Sequence, residues 1–143
     1  MVWRTGPQAA ALTELSVQVY CDETPCDFTM RLTTPDPATL LPSAVTLKQV
    51  AYTSTGGGTE STFEPSSFLG TTLAANTLYG VEVSATTSAN TLFGRWYWTD
   101  NTTFDVLSPG WHYTGYASMA PGTTTYQPFV RGKRPFRIVI RGK

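Results

Sequence analysis

The chain has 143 residues, and its ten Lys and Arg balance its ten Asp and Glu, so no net field selects nucleic acid or an anionic membrane. Charged residues make up 14% of the chain, against roughly a quarter in an average domain. Thr, Ser, Asn and Gln must then cover much of the surface, a habit of extracellular and virion β-proteins rather than of cytosolic enzymes.

Residues 1–12 contain Val2, Trp3 and Leu12 with no pairing run beside them, and they read as an N-terminal arm; residues 13–143 read as a single β-sandwich domain. The opening MVWRTGPQAAALTEL lacks the apolar core of about 7 to 15 residues of a signal peptide. No apolar run approaches the roughly 18 residues that span a bilayer. The expectation is a chain made in a cytosol and then assembled, or a piece of a larger protein.

Strand patterns then arrive in series. Thr13 to Tyr20 alternates, with Leu15, Val17 and Val19 on one face, and Asp27 to Thr34 repeats this with Phe28, Met30 and Leu32. Between them CDETPC is a turn signal, so these two runs are expected to pair as a hairpin. Its cysteines, Cys21 and Cys26, are either two thiols flanking the turn or a disulfide closing a small loop. TTPDPATLLPSA carries three prolines and reads as a loop. Ala44 to Thr53 is a third run with Val45, Leu47 and Val50 inward, followed by the flexible Gly56-Gly57-Gly58. Ser61 to Phe68 is a weak run broken by Pro65.

In Leu78 to Ala85, Tyr79, Val81, Val83 and Ala85 share a face, which leaves Glu82 turned outward and solvated. In Thr91 to Thr99, Leu92, Gly94, Trp96 and Trp98 share one face, and Phe93, Arg95 and Tyr97 the other. Trp111 to Ala117 follows, then a long connection over 118–134 and a last run from Pro135 to Arg141, with Ile138 and Ile140 inward. This spacing, with no long run of helical period, predicts an all-β, antiparallel β-sandwich of about eight strands. The long connections suit a jelly-roll-like path. The expected core is Val17, Val19, Phe28, Met30, Leu32, Leu47, Val81, Val83, Trp96, Trp98, Trp111, Ile138 and Ile140.

Catalytic patterns are sparse. A Ser-His-Asp triad would have to use the lone His112, which sits inside a strand pattern and reads as an edge or solvent-side residue. Asp100 and Asp105 fall in turns, where they cap their own backbone. No catalytic residue, cofactor or metal is assigned. Two surface features stand out. Phe93, Arg95, Tyr97 and Tyr116 form a patch suited to sugar stacking or to a protein partner. The last residues, RGKRPFRIVIRGK, concentrate Arg131, Lys133, Arg134, Arg137, Arg141 and Lys143 without an acid.

Arg31-Leu32, Pro42, Leu73, Tyr79, Val81, Val83 and Trp96, within LAANTLYGVEVSA, TLFGRWYWTDN and PFRIVIRG, resemble the pattern of jelly-roll modules of phage virions and bacterial surface proteins. The likeness runs over roughly residues 13 to 141, on core and turn positions. Asn76 stands where those modules carry glycine and also tolerates a left-handed turn. The resemblance implies no enzyme. It implies a surface or assembly module of the kind found in head-decoration proteins, fibres, tail tips and carbohydrate-binding domains. Taken with the small size, the polar hydroxyl-rich surface and the lack of catalytic patterns, it makes the leading expectation a structural protein of a virus particle. Such a protein would be a capsid-decoration or fibre/tail component that acts by oligomeric assembly and is carried in the virion after synthesis in the host cytoplasm. The expected partners are copies of itself, a trimer among the forms, and other virion proteins, reached through Val2, Trp3, Arg131, Lys133, Arg134, Arg137 and Arg141. No nucleic acid or membrane is expected. The alternative is an extracellular carbohydrate-binding module using Phe93, Arg95, Tyr97 and Tyr116. A small β-sandwich hydrolase ranks third.

Overall fold

The computed structural model describes residues 2–21, 26–36, 45–54, 60–85, 92–93, 97–98, 106–107, 110, 112–115, 117–119, 126–128, 133–134 and 137–143. These form an all-β sandwich with one short 3-10 turn and no α-helix among the described residues. One sheet contains β1 (Val2–Arg4), β3 (Cys26–Thr34), β4 (Val45–Ser54), β7 (Leu78–Ala85) and β11 (His112–Gly115), in the order β11-β1-β7-β3-β4. The other has the order β10-β15-β2-β5, from β10 (Val106–Leu107), β15 (Arg137–Gly142), β2 (Ala10–Cys21) and β5 (Glu60–Phe63). β6 (Thr72–Leu73) and β8 (Leu92–Phe93) also pair with β2. Two small ladders complete the set. β12 (Ala117–Met119) pairs with β13 (Tyr126–Pro128), and β9 (Tyr97–Trp98) with β14 (Lys133–Arg134). All pairs are antiparallel except β10 with β15, which run parallel.

The two sheets share one core. Trp3, Phe28, Met30, Leu32, Tyr79 and Val81 enter it from the first sheet. Leu12, Leu15, Val17, Leu73 and Ile140 enter from the second, together with Phe68 of the 3-10 turn (Ser66–Phe68). Alternation along each strand turns one set of side chains inward, and burial of these apolar surfaces supplies the main driving force. On β2 the alternation breaks between Leu12 and Leu15, yet both are buried. The register against β15 passes from Glu14 to Leu12, so Thr13 is bulged and both leucines face inward.

Several expectations need correction. β2 and β3 do not form a hairpin: they lie in different sheets, because β2 pairs with β5, β6, β8 and β15 while β3 pairs with β4 and β7. The arm expected over residues 1–12 is instead β1, a connection, and the first three residues of β2. Val2 and Trp3 are 3% and 0% exposed, so they are core residues and not contacts for a partner. β1 sits between β7 and β11, with Trp3 opposite Tyr79. The chain after it is fastened to the turn before β7. The Thr5 hydroxyl donates to the Ala74 carbonyl at 2.6 Å and accepts from the Thr77 amide at 3.0 Å. Arg4 donates to the Asn76 carbonyl at 2.6 Å, and the Asn76 amide donates to the Gly6 carbonyl at 2.8 Å. Asn76 itself adopts φ 51, the left-handed conformation expected of it.

Val45 and Leu47, expected inward, are 56% and 39% exposed. Pairing with β3 decides this. Phe28 lies opposite Tyr52 and Met30 opposite Val50, so the even positions from Lys48 on share the core-facing side. Leu47 is bulged with no opposite residue on β3, and Val45 lies beyond the bulge, where the parity shifts. The expected connection over 118–134 contains β12, β13 and β14. Trp96 and Trp111, expected in the core, lie outside the described residues, as do the side chains of Val19, Trp98 and Ile138.

Candidate interaction site

A β-sandwich has strands whose outer edges carry unpaired backbone groups, and these are managed by keeping them short, charged or covered. Among the described residues the strand order ends at β11 and β4 in one sheet and at β10 and β5 in the other, with the two-residue β6 and β8 as further short pairings of β2. β11 and β5 have four residues each and β10 has two, whereas β4 has ten. β5 is also ended at once by Glu64-Pro65 and the 3-10 turn. β4 has no proline and a single charge, Lys48. Its one irregularity is at Leu47: Leu32 pairs with Lys48 but Thr33 with Thr46, so Leu47 is bulged. From Lys48 to Ser54 the strand is regular. Its outer side pairs with no strand among the described residues.

The two neighbouring edges meet in an aromatic cluster. Tyr52 of β4, Phe63 of β5 and Phe28 of β3 pack with ring centroids 4.7 to 5.4 Å apart, closing the sandwich on this side. Glu64 follows Phe63. Partial burial, and then the negative charge of Glu64, raise the pKa of the Tyr52 hydroxyl above its ordinary value. Lys48 and Glu64 are both exposed, and neither joins an ion pair among the described residues.

One ion pair lies on the outer face of the same sheet. Arg31 and Glu82 are directly opposed in the β3–β7 register, and the guanidinium donates to the Glu82 carboxylate. Glu82 does alternate out of the core, but it is 7% exposed, so the expectation of a solvated carboxylate is corrected. Arg31 Nε is buried and finds no hydrogen-bond partner among the described residues. Arg31 and Glu82 serve here as a cross-strand lock, a role their alternation alone could not reveal.

The sequence-derived site residues fall into separate places. Arg137 and Arg141 are on β15, opposite Gln18 and Glu14 of β2, and Arg141 pairs with Glu14 at 3.3 Å. Lys133 and Arg134 form β14, in register with Trp98 and Tyr97 of β9. The fold therefore brings part of the basic segment beside part of the aromatic patch. Phe93 of β8 is in register with Tyr20. Arg95, Tyr116 and Arg131 lie outside the described residues. His112 is on the edge strand β11, opposite Arg4. No group of three or more His, Cys, Asp or Glu fit to hold a metal occurs among the described residues, and no helix there is long and apolar enough to cross a membrane. The β4 edge was missed because alternation marks buried faces and says nothing about which strand ends a sheet. Its one signal was a ten-residue run almost free of charge.

Compared with family models, curated proteins and solved structures, the chain matches none.

Proposed function

We propose that the protein is a non-enzymatic structural component of a virus particle, a capsid-decoration or fibre/tail protein that acts by oligomeric assembly. The observation that carries this is the contrast among sheet edges: among the described residues the other edge strands are short, while β4 presents ten residues, including Val45 at 56% and Leu47 at 39% exposure. A long, charge-poor, apolar edge is a liability for a freely diffusing monomer and an asset for a protein that docks. The sequence likeness to virion jelly-roll modules supports the same reading. The basic residues Lys133, Arg134 and Arg137 supply a complementary field for an acidic neighbour in the particle, with Arg131 and Arg141 beside them in sequence.

The direct test is co-sedimentation of the purified chain with particles from the source culture, with mass spectrometry of those particles. The chain should be found in the particle and should bind particles stripped of it. Its absence from every particle fraction would overturn the reading.

A second reading, the extracellular carbohydrate-binding module, is favoured by one observation. The β9–β14 ladder sets Tyr97 and Trp98 in register with Arg134 and Lys133, residue types that stack on and hydrogen-bond sugars. Saturable, specific binding of an isolated monomer on a glycan array would put this reading first.

A further inference from the structure

We infer that the β4 edge is the docking surface for a second copy of the chain, with the two β4 strands pairing antiparallel about a twofold axis at Val50. This names the partner and the register for the assembly proposed above, and rests on that reading only for its place in a particle.

The geometry favours a second copy over other occupants in three ways. An antiparallel strand paired with itself is self-complementary. Whichever of its residues point their N–H and C=O outward, the twofold-related strand presents the same groups in the opposite direction. The regular stretch, Lys48 to Ser54, is bounded by the bulge at Leu47, and a twofold at Val50 lies well within it. Finally, the charges match. In that register Lys48 falls opposite the partner copy's position 52, on the same face, because Lys48 and Tyr52 oppose Leu32 and Phe28 of β3.

Glu64 directly follows Phe63, whose ring packs against that of Tyr52 with centroids 5.0 Å apart. Each Lys48 therefore approaches a Glu64 of the other copy, twice per dimer, and both groups are exposed and unpaired within the chain among the described residues. The net charge of zero adds no long-range repulsion between copies. Pairing at one edge covers less area than a standard interface, so free chains should associate at roughly micromolar concentration.

Sedimentation velocity over a concentration series tests this. The wild type should pass from monomer to dimer. Gln49 and Ala51 are exposed and oppose each other across the proposed axis, so Gln49→Lys/Ala51→Lys sets like charges face to face and should weaken association by about tenfold or more. Lys48→Glu and Glu64→Lys should each weaken it as well, and the double swap Lys48→Glu/Glu64→Lys should restore it. All four variants should keep the wild-type circular dichroism spectrum and melting temperature, since every substituted residue is exposed.

A wild type that stays monomeric at high concentration, or a dimer that survives Gln49→Lys/Ala51→Lys, overturns the inference. A dimer lost in both single swaps and not restored in the double overturns the register. Particle co-sedimentation separates the two claims. A monomer that binds particles leaves the structural role standing without this interface. A β4-dependent dimer absent from particles does the reverse.

Discussion

β1 and β4 belong to the same sheet and behave as opposites. β1 has three residues and lies between β7 and β11, with Trp3 fully buried. β4 has ten residues, lies at the edge, and is exposed along its first half. Length does not set a strand's contribution to the core; position in the sheet does. A central strand is covered by neighbours on both sides and by the opposite sheet, so three residues can be fastened by a few bonds at their end. An edge strand has one strand neighbour among the described residues, and the first half of β4 stays exposed. The expected consequences of substitution should follow burial, large where a side chain enters the core and small on the exposed first half of β4.

The largest effect belongs to β1. Trp3→Ala removes a fully buried indole from the middle of the core and should cost about 3 to 5 kcal/mol in denaturant unfolding. Leu47→Ala, on the bulged and exposed part of β4, should stay within about 0.5 kcal/mol of wild type. Equal costs at the two sites would erase the contrast between them. For the same reason, removal of residues 1–12 should abolish folding rather than trim an arm.

The next step is the lock between β7 and β3. Removing one partner of a fully buried ion pair costs about 3 to 5 kcal/mol. Arg31 is 33% exposed and can draw on solvent, so Glu82→Ala should cost less, about 2 kcal/mol. Arg31→Met/Glu82→Leu should recover most of that loss, because the stranded charge is gone. A double variant as unstable as Glu82→Ala would mean that the pair does more than hold two strands in register.

Tyr79 comes third. Its ring packs against Trp3 at 6.0 Å, and its hydroxyl accepts the Ala74 amide at 2.7 Å. This backward bond to the chain a few residues upstream resembles the tyrosine corner of other β-sandwiches. Tyr79→Phe keeps the ring and strands the amide, so it should cost about 1 kcal/mol. The change should also loosen the turn at Asn76 that fastens residues 4–6, seen as faster amide exchange at Thr77 and Asn76.

Much of this architecture was legible from residue alternation. The inward faces of β2, β3 and β7 follow from Val17, Phe28, Met30, Leu32 and Val81, each of which is buried. The left-handed turn at Asn76 follows from the residue's chemistry. What alternation could not give was pairing. β1 is too short to show a period, so Trp3 looked like an unattached anchor when it sits on an interior strand of a sheet. β4 shows apolar residues on both parities, Val45 and Leu47 against Val50 and Tyr52, and only its register with β3, with the bulge at Leu47, puts Val50 and Tyr52 on the core side. Glu82 was placed on the correct face, but the residue that covers it, Arg31, comes from a strand distant in sequence.

The smallest effect tests how far the Tyr52 hydroxyl is covered at this edge. The Tyr52 ring is packed between Phe28 and Phe63, and its hydroxyl is partly withdrawn from water near Glu64. Partial burial, and then the Glu64 charge, disfavour the phenolate, so the pKa in the folded chain lies above the ordinary value of 10.0. The unfolded chain then ionises first as pH rises, and the folded chain holds the extra proton. The stability tied to this group is fully present below pH 10 and is lost as pH rises through the folded pKa. Tyr52→Phe has no proton to lose at this site. Its unfolding midpoint should therefore fall less between pH 8 and pH 11 than that of wild type, while the other tyrosines and the lysines titrate alike in both and cancel in the difference. Glu64→Gln should remove only the smaller, electrostatic part of the gap. Superimposable pH profiles for Tyr52→Phe and wild type would place the Tyr52 hydroxyl in open solvent. Its ring alone would then be held between Phe28 and Phe63, with neither burial nor Glu64 acting on the hydroxyl.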